Sequence, residues 1–204
     1  MHTQKNISLP GAAGNIEGII HLPDIEPRAI AVVAHPLPIM GGTMDNKVVT
    51  TLCKAFVELG YATLRFNFRG VGKSTGSYDE GNGEMLDAIT AALFMRDEFP
   101  DLPLLLAGFS FGGYVQARAA MELLPQQLVL VAPAVGRFAM PEVPHNTLLI
   151  HGDLDEIVEL HELLKWARPQ HLPVIVLAGA EHFFHGRLTQ LKHIVLQHLG
   201  GAPK

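Results

Sequence analysis

The sequence predicts an α/β fold: a mostly parallel sheet of about seven or eight strands, helices on both of its faces, and an antiparallel hairpin at the N-terminal end. Three observations carry that expectation. Short apolar runs alternate with longer amphipathic stretches along nearly all of the 204 residues. The runs are apolar at successive positions rather than at every second one, as in a strand with neither face in water. Hydrophobic residues make up 48% of the chain and charged residues 17%, which is enough apolar surface for a two-sided core. The length suits one domain, 1–204.

Asn6–Leu9 and Asn15–Leu22 flank the segment Gly11–Gly14 and read as the hairpin. Ala29–Ala34 is the first fully apolar run. A helix over Asn46–Leu59 follows, with Asp45 as its N-cap and Gly60 just past its end. Ala62–Phe68 is the next strand, and Glu84–Glu98 the next helix, stopping before Pro100. Leu104–Phe109 precedes a helix over Gly112–Leu124 that runs up to Pro125. Strands over Leu128–Ala132 and Thr147–His151 come next, then a helix over Val158–Ala167 that stops before Pro169. Val174–Ala178 and a helix over Arg187–Leu199, ended by Gly200-Gly201, complete the chain.

Several function classes drop out. Net charge is −5 and no run of lysine or arginine occurs, so nucleic acid meets no basic footprint. The apolar runs are too short to span a bilayer. The opening MHTQKNISLP has no charged and apolar leader pattern. Cys53 is the only cysteine, which excludes an internal disulfide. A cytoplasmic protein with a small-molecule partner is expected, and oligomeric state is left open.

Residues 108–113 read Gly-Phe-Ser-Phe-Gly-Gly, a G-x-S-x-G motif at Ser110 between an apolar run and a helix. A nucleophile on a sharp strand-to-helix turn leaves no room for side chains two residues either side, so Gly108 and Gly112 suit it. Gly113 would let the helix approach the sheet. The competing reading is a Gly/Ser turn in a phosphate-binding α/β domain.

A serine nucleophile needs a base, and the base an orienting acid. His151-Gly152-Asp153-Leu154-Asp155-Glu156-Ile157-Val158 follows one strand, and Glu181-His182-Phe183-Phe184-His185 follows the next. Ligands of open α/β sheets gather at the carboxyl ends of strands. Ser110, Asp155 and His182 lie 45 and 27 residues apart, which places them on separate loops of one sheet edge. Asp153 and Glu156 compete with Asp155 for the acid, and His185 with His182 for the base. His151 reads as structural, and His161, His171, His193 and His198 as surface or helix-end residues. No metal and no cofactor are expected, since neither H-E-x-x-H nor a cysteine cluster occurs.

An oxyanion hole needs backbone N–H groups aimed at the developing charge. Phe111, the residue after the serine, supplies one. In His35-Pro36-Leu37-Pro38 the prolines have no N–H, so Leu37 is the second donor. A rigid turn without function is the alternative for that segment.

These motifs, with Gly41-Gly42-Thr43-Met44-Asp45-Asn46-Lys47 and Phe66-Asn67-Phe68-Arg69-Gly70-Val71-Gly72, resemble the small, lidless branch of the α/β-hydrolase superfamily. The resemblance runs through almost the whole chain. It implies an α/β-hydrolase fold, the triad Ser110–Asp155–His182, and backbone donors at Leu37 and Phe111. Leu37 departs from the residue relatives often carry there, but a backbone role survives the change. Members of the branch are described only as predicted esterases or hydrolases, so the resemblance implies a class rather than a substrate.

Residues 67–74, Asn-Phe-Arg-Gly-Val-Gly-Lys-Ser, fall one residue short of a P-loop. The residues that follow read as loop rather than helix, so this is taken as a structural loop near the site edge. Its Arg69 is a candidate contact for an anionic part of a substrate. The connection Ala134–Asn146 is too short for a helical cap, so no lid domain is expected and the site should be open and shallow. Phe109, Phe111, Phe183 and Phe184 are candidates for an apolar rim, with Phe183 the substrate-contacting one. The leading expectation is a serine hydrolase of short or small soluble carboxylic esters. Thioesterase, amidase or peptidase activity would use the same machinery. A non-catalytic binding domain, or a nucleotide-binding protein using residues 67–74, are the readings from other classes.

Overall fold

The computed structural model describes residues 3–200. Eight strands of the described residues form one sheet, and along it the fourth strand in sequence lies between the second and the third while the rest follow in sequence order. The strands are β1 (Thr3–Gly11), β2 (Gly14–Leu22), β3 (Ala29–Ala34), β4 (Tyr61–Phe66), β5 (Leu104–Phe109), β6 (Gln127–Val131), β7 (Leu148–Gly152) and β8 (Val174–Leu177). β1 and β2 form the expected hairpin, joined by Ala12-Ala13, and β2 pairs antiparallel with β4. From β4 through β8 every pairing is parallel.

Alternate residues of the central strands feed two cores. Ile30, Val32 and Ala34 of β3 face α2 (Asn82–Glu98) and α3 (Phe111–Leu123). Ala31 and Val33 face α1 (Lys47–Glu58) and α5 (Leu188–Leu199). Helices therefore cover both faces, and the fully apolar runs are fully buried strands. α4 (Leu160–Ala167) packs Leu163 against Val135 and Val158. Among the described residues no helix is long and apolar enough to cross a membrane.

The element boundaries shift where backbone groups are committed to distant partners. β4 ends at Phe66 rather than Phe68. The Phe68 N–H donates to His35 Nε2 (3.1 Å) and so leaves the ladder, while the Asn67 N–H still bonds Glu17 O of β2 (2.8 Å). Asn46, not Asp45, caps α1: its Oδ1 accepts from Val48 N, while the Asp45 carboxylate pairs with Arg65. α4 begins at Leu160 rather than Val158, because the Val158 N–H donates to Asp155 and its carbonyl faces His151. Pro169 does not end the helical path: a 3-10 turn, Arg168–Gln170, carries it on, and His171 closes it with φ +54°. Gly201 of the expected final stop lies outside the described residues.

Residues 67–74 hold no helix; the next one opens at Asn82. Instead the loop is tied to the hairpin. Glu17 Oε2 accepts from Asn67 Nδ2 (2.8 Å) and Lys73 N (2.9 Å), and Ser74 Oγ bridges Glu17 N and Asn67 O. The phosphate-binding reading required a helix starting at Lys73-Ser74. Residues 134–146 likewise form turns and no helix, so no lid covers the carboxyl edge of the sheet.

Candidate active site

Ser110 stands between β5 and α3 with φ +55° and ψ −117°, a conformation that costs a non-glycine residue about 1–3 kcal/mol. Its surroundings hold it there. The Ser110 N–H donates to Val131 O of the next strand (2.9 Å), and its carbonyl accepts from Gly113 N (2.9 Å) and Ala134 N (3.2 Å). A Cβ at Gly108 would fall on the carbonyl oxygen of Gly112, and one at Gly112 on that of Ala34. Both glycines are thus required by close backbone approach, as the motif predicted. Gly113 sits against Pro133, where a Cβ would be 3.1 Å from the proline Cβ.

His182 Nε2 lies 3.0 Å from Ser110 Oγ, and His182 Nδ1 lies 2.7 Å from Asp155 Oδ2. A carboxylate can only accept, so the Nδ1–H donates to Asp155 and Nε2 is left to accept the serine proton. All three residues are at least 90% buried, and Ser110, at 8% exposure, is the most accessible. Asp155 Oδ1 accepts from the N–H groups of Ile157 (2.9 Å) and Val158 (2.8 Å). Burial works to raise the Asp155 pKa, but the bonds from His182 and Val158 outweigh it and hold the carboxyl below its ordinary value. The carboxylate is therefore ionised and oriented before any ligand arrives.

The competing candidates separate cleanly. Asp153 turns away to accept from Gly179 N (2.6 Å), building the loop. Glu156 is exposed. His185 pairs with Glu181 at the surface and does not join His182. His151 is fully buried in β7, with Nε2 2.8 Å from Val158 O and 3.6 Å from Asp155 Oδ2. Burial pushes its pKa down, so it stands beside Asp155 as a neutral ring.

Phe111 opens α3, so its N–H has no carbonyl one turn back in the helix to bond. Leu37 lies in a tight loop whose carbonyl accepts from Met40 N (3.1 Å) and Gly42 N (3.0 Å). The buried His35 sits beneath it. Its Nε2 accepts from Phe68, so the proton is on Nδ1 and donates to Pro36 O (2.6 Å). Burial pushes the His35 pKa down to about 4, against a weaker opposing pull from the Pro36 bond.

A cavity of about 350 Å³ opens over Ser110 and His182. Leu37, Met40, Ile157 and Phe183 give it an apolar wall, and Asn46 and Arg137 supply polarity. Phe183 is 37% exposed and packs edge-on to His182. Phe109, Phe111 and Phe184 are buried and lie beneath the site, so of the four candidate rim phenylalanines only Phe183 is on the rim.

Arg69 requires a correction. Its guanidinium donates to both carboxylate oxygens of Asp87 (3.1 and 2.8 Å), and its backbone N–H donates to the same group (2.9 Å). It does not line the cavity, and Asp87 already neutralises it. The arginine that does reach the cavity is Arg137, with Ile157 and Met40 as further wall residues that the motifs did not mark. No local signal singles out Arg137; only the short connection it occupies does.

A mostly parallel sheet, a serine on a strained turn between strand and helix, and an uncapped carboxyl edge define an α/β serine hydrolase without a lid. The chain belongs to the Hydrolase_4 family, described as serine aminopeptidase, S33, whose model matches residues 25–145. That stretch contains Ser110 but ends before Asp155 and His182. A Xanthomonas campestris protein described as an α/β serine hydrolase without lid is 37% identical, with a TM-score of 0.94 over 98% of this chain and 97% of that one. An α/β serine hydrolase homologue from Coxiella burnetii is 40% identical, with a TM-score of 0.87 over 96% and 97% of the two chains. An uncharacterized protein of Rickettsia prowazekii is 32% identical over 93% of this chain and 86% of its own length.

Proposed function

We propose that the chain acts as one domain that hydrolyses carboxylic esters of small acyl groups through Ser110, His182 and Asp155. The observation that carries this reading is the continuous hydrogen-bonded series from Ser110 Oγ through His182 to Asp155 at 3.0 and 2.7 Å.

In this reading Ser110 Oγ attacks the carbonyl carbon as its proton passes to His182 Nε2. The C=O π pair moves onto oxygen, and the N–H groups of Leu37 and Phe111 receive that charge, helped by the positive end of α3. Asp155 holds the imidazolium. The tetrahedral adduct collapses, the C–O bond to the alcohol breaks, and His182 returns the proton to the leaving oxygen. Water repeats the sequence on the acyl-enzyme and releases the acid. The cavity over Ser110 is near the lower end of the range for small-molecule sites, which favours short acyl groups.

Hydrolysis of p-nitrophenyl esters of increasing chain length tests the reading. Turnover should be greatest for short chains, and Ser110→Ala should lower kcat by at least about 10³-fold. Turnover unaffected by Ser110→Ala would refute it. Thioester and anilide analogues run beside the esters define the leaving-group preference.

A further inference from the structure

We propose that Arg137, on the wall of the cavity over Ser110, selects substrates that carry an anionic group, a carboxylate or phosphate, besides the reacting carbonyl. The proposal rests on the ester-hydrolase reading above and narrows its substrate class.

Three observations support it. First, among the described residues that line the cavity, Arg137 is the one ionisable side chain apart from the histidine; the others are apolar, backbone, amide or the Ser110 hydroxyl. The chain as a whole carries −5, so a cationic site mouth runs against the overall balance. Second, the charge is unspent: no carboxylate among the described residues lies within ion-pair distance of it, whereas Arg65 and Arg69 are held by Asp45 and Asp87. Third, residues on either side of it in the same segment contact the elbow and α3. The Ala134 N–H donates to the carbonyl of Ser110, and Phe138 stacks on Tyr114 (4.7 Å between centroids) and tilts against Phe111 (5.2 Å). The base of the cation is thus anchored to the residues that carry the nucleophile and the proposed oxyanion donor. A guanidinium fork suits planar two-oxygen groups.

The test compares p-nitrophenyl hydrogen adipate with its neutral methyl ester, and a second pair with the anion placed on the alcohol side as a phosphate. In the wild type, kcat/KM should favour the anionic member of at least one pair. Arg137→Gln should lower that anionic-to-neutral ratio about tenfold, the size expected when a charge-assisted bond is lost. Arg137→Lys should restore part of it and Arg137→Glu should push it below that of Arg137→Gln. The pair that responds identifies which arrangement Arg137 accepts, a carboxylate on the acyl side or a phosphate on the alcohol side. Binding of the same compounds to the Ser110→Ala protein, followed by calorimetry, should show the same dependence on Arg137 without chemistry. Equal ratios in wild type and Arg137→Gln for both pairs, with neutral esters still turned over, would overturn the proposal and leave the hydrolase reading intact. Absence of turnover and of binding for every compound would overturn both.

Discussion

Phe68 donates its backbone N–H to Nε2 of His35 at 3.1 Å, across 33 residues of sequence. The same ring donates from Nδ1 to Pro36 O. One uncharged imidazole therefore ties the loop that carries Leu37 to the end of β4.

The charge state of that ring makes stability depend on pH. His35 is held down to about 4 in the folded chain against an ordinary 6.5. The unfolded chain binds a proton there that the folded chain refuses, so stability is full above about pH 6.5 and falls as pH drops to about 4. Complete titration corresponds to about 3 kcal/mol. His151, lowered in the same direction, adds to the slope. Urea unfolding should show lower stability at the acid end of that window, and His35→Gln should flatten the dependence. A pH-independent midpoint would contradict the account.

Asp155→Asn should leave the fold intact and cripple the chemistry. An amide oxygen can still accept from Ile157 and Val158, but the amide nitrogen would then face His182 Nδ1 and favour the wrong tautomer. A fall in kcat of about 10⁴-fold, with KM little changed, is expected from ester kinetics.

Gly112→Ala and Gly41→Ala should differ sharply in unfolding measurements. The Cβ at Gly112 would strike the Ala34 and His35 carbonyls, which neighbouring backbone cannot vacate. A loss of about 3 kcal/mol or more is expected. Gly41 has φ +81° and open space around a Cβ, so only the left-handed conformation is taxed, by about 1 kcal/mol.

Asp87→Ala should cost about 3–5 kcal/mol, because it leaves the Arg69 guanidinium largely buried and unpaired. Replacing both, Arg69→Met with Asp87→Leu, should cost less than Asp87→Ala alone in urea unfolding. A larger cost for the double variant would show that the pair is needed for more than mutual neutralisation.

Much of this architecture was legible because burial on two faces writes itself into consecutive residues, as in Ala29–Ala34 and Leu104–Phe109. The elbow was legible because Gly108 and Gly112 answer a local steric demand. What escaped depends on partners far along the chain. Val158 looked helical but serves Asp155, and Phe68 looked like strand but serves His35. Arg69 looked free because Asp87, 18 residues on, cannot be recognised as its partner from composition. Asp155 could be told from Asp153 and Glu156 only by resemblance; in the structure Asp155 bonds His182, Asp153 bonds the Gly179 N–H and Glu156 is exposed.

The proposed reaction requires Ser110 to be a nucleophile activated by His182. Covalent labelling with a fluorophosphonate, read by intact mass and peptide mapping, tests it most directly. A single adduct on Ser110 is expected, absent in Ser110→Ala and formed far more slowly in His182→Ala. No adduct on the folded wild-type protein between about pH 6 and about pH 9, or an adduct on a different serine, would contradict it.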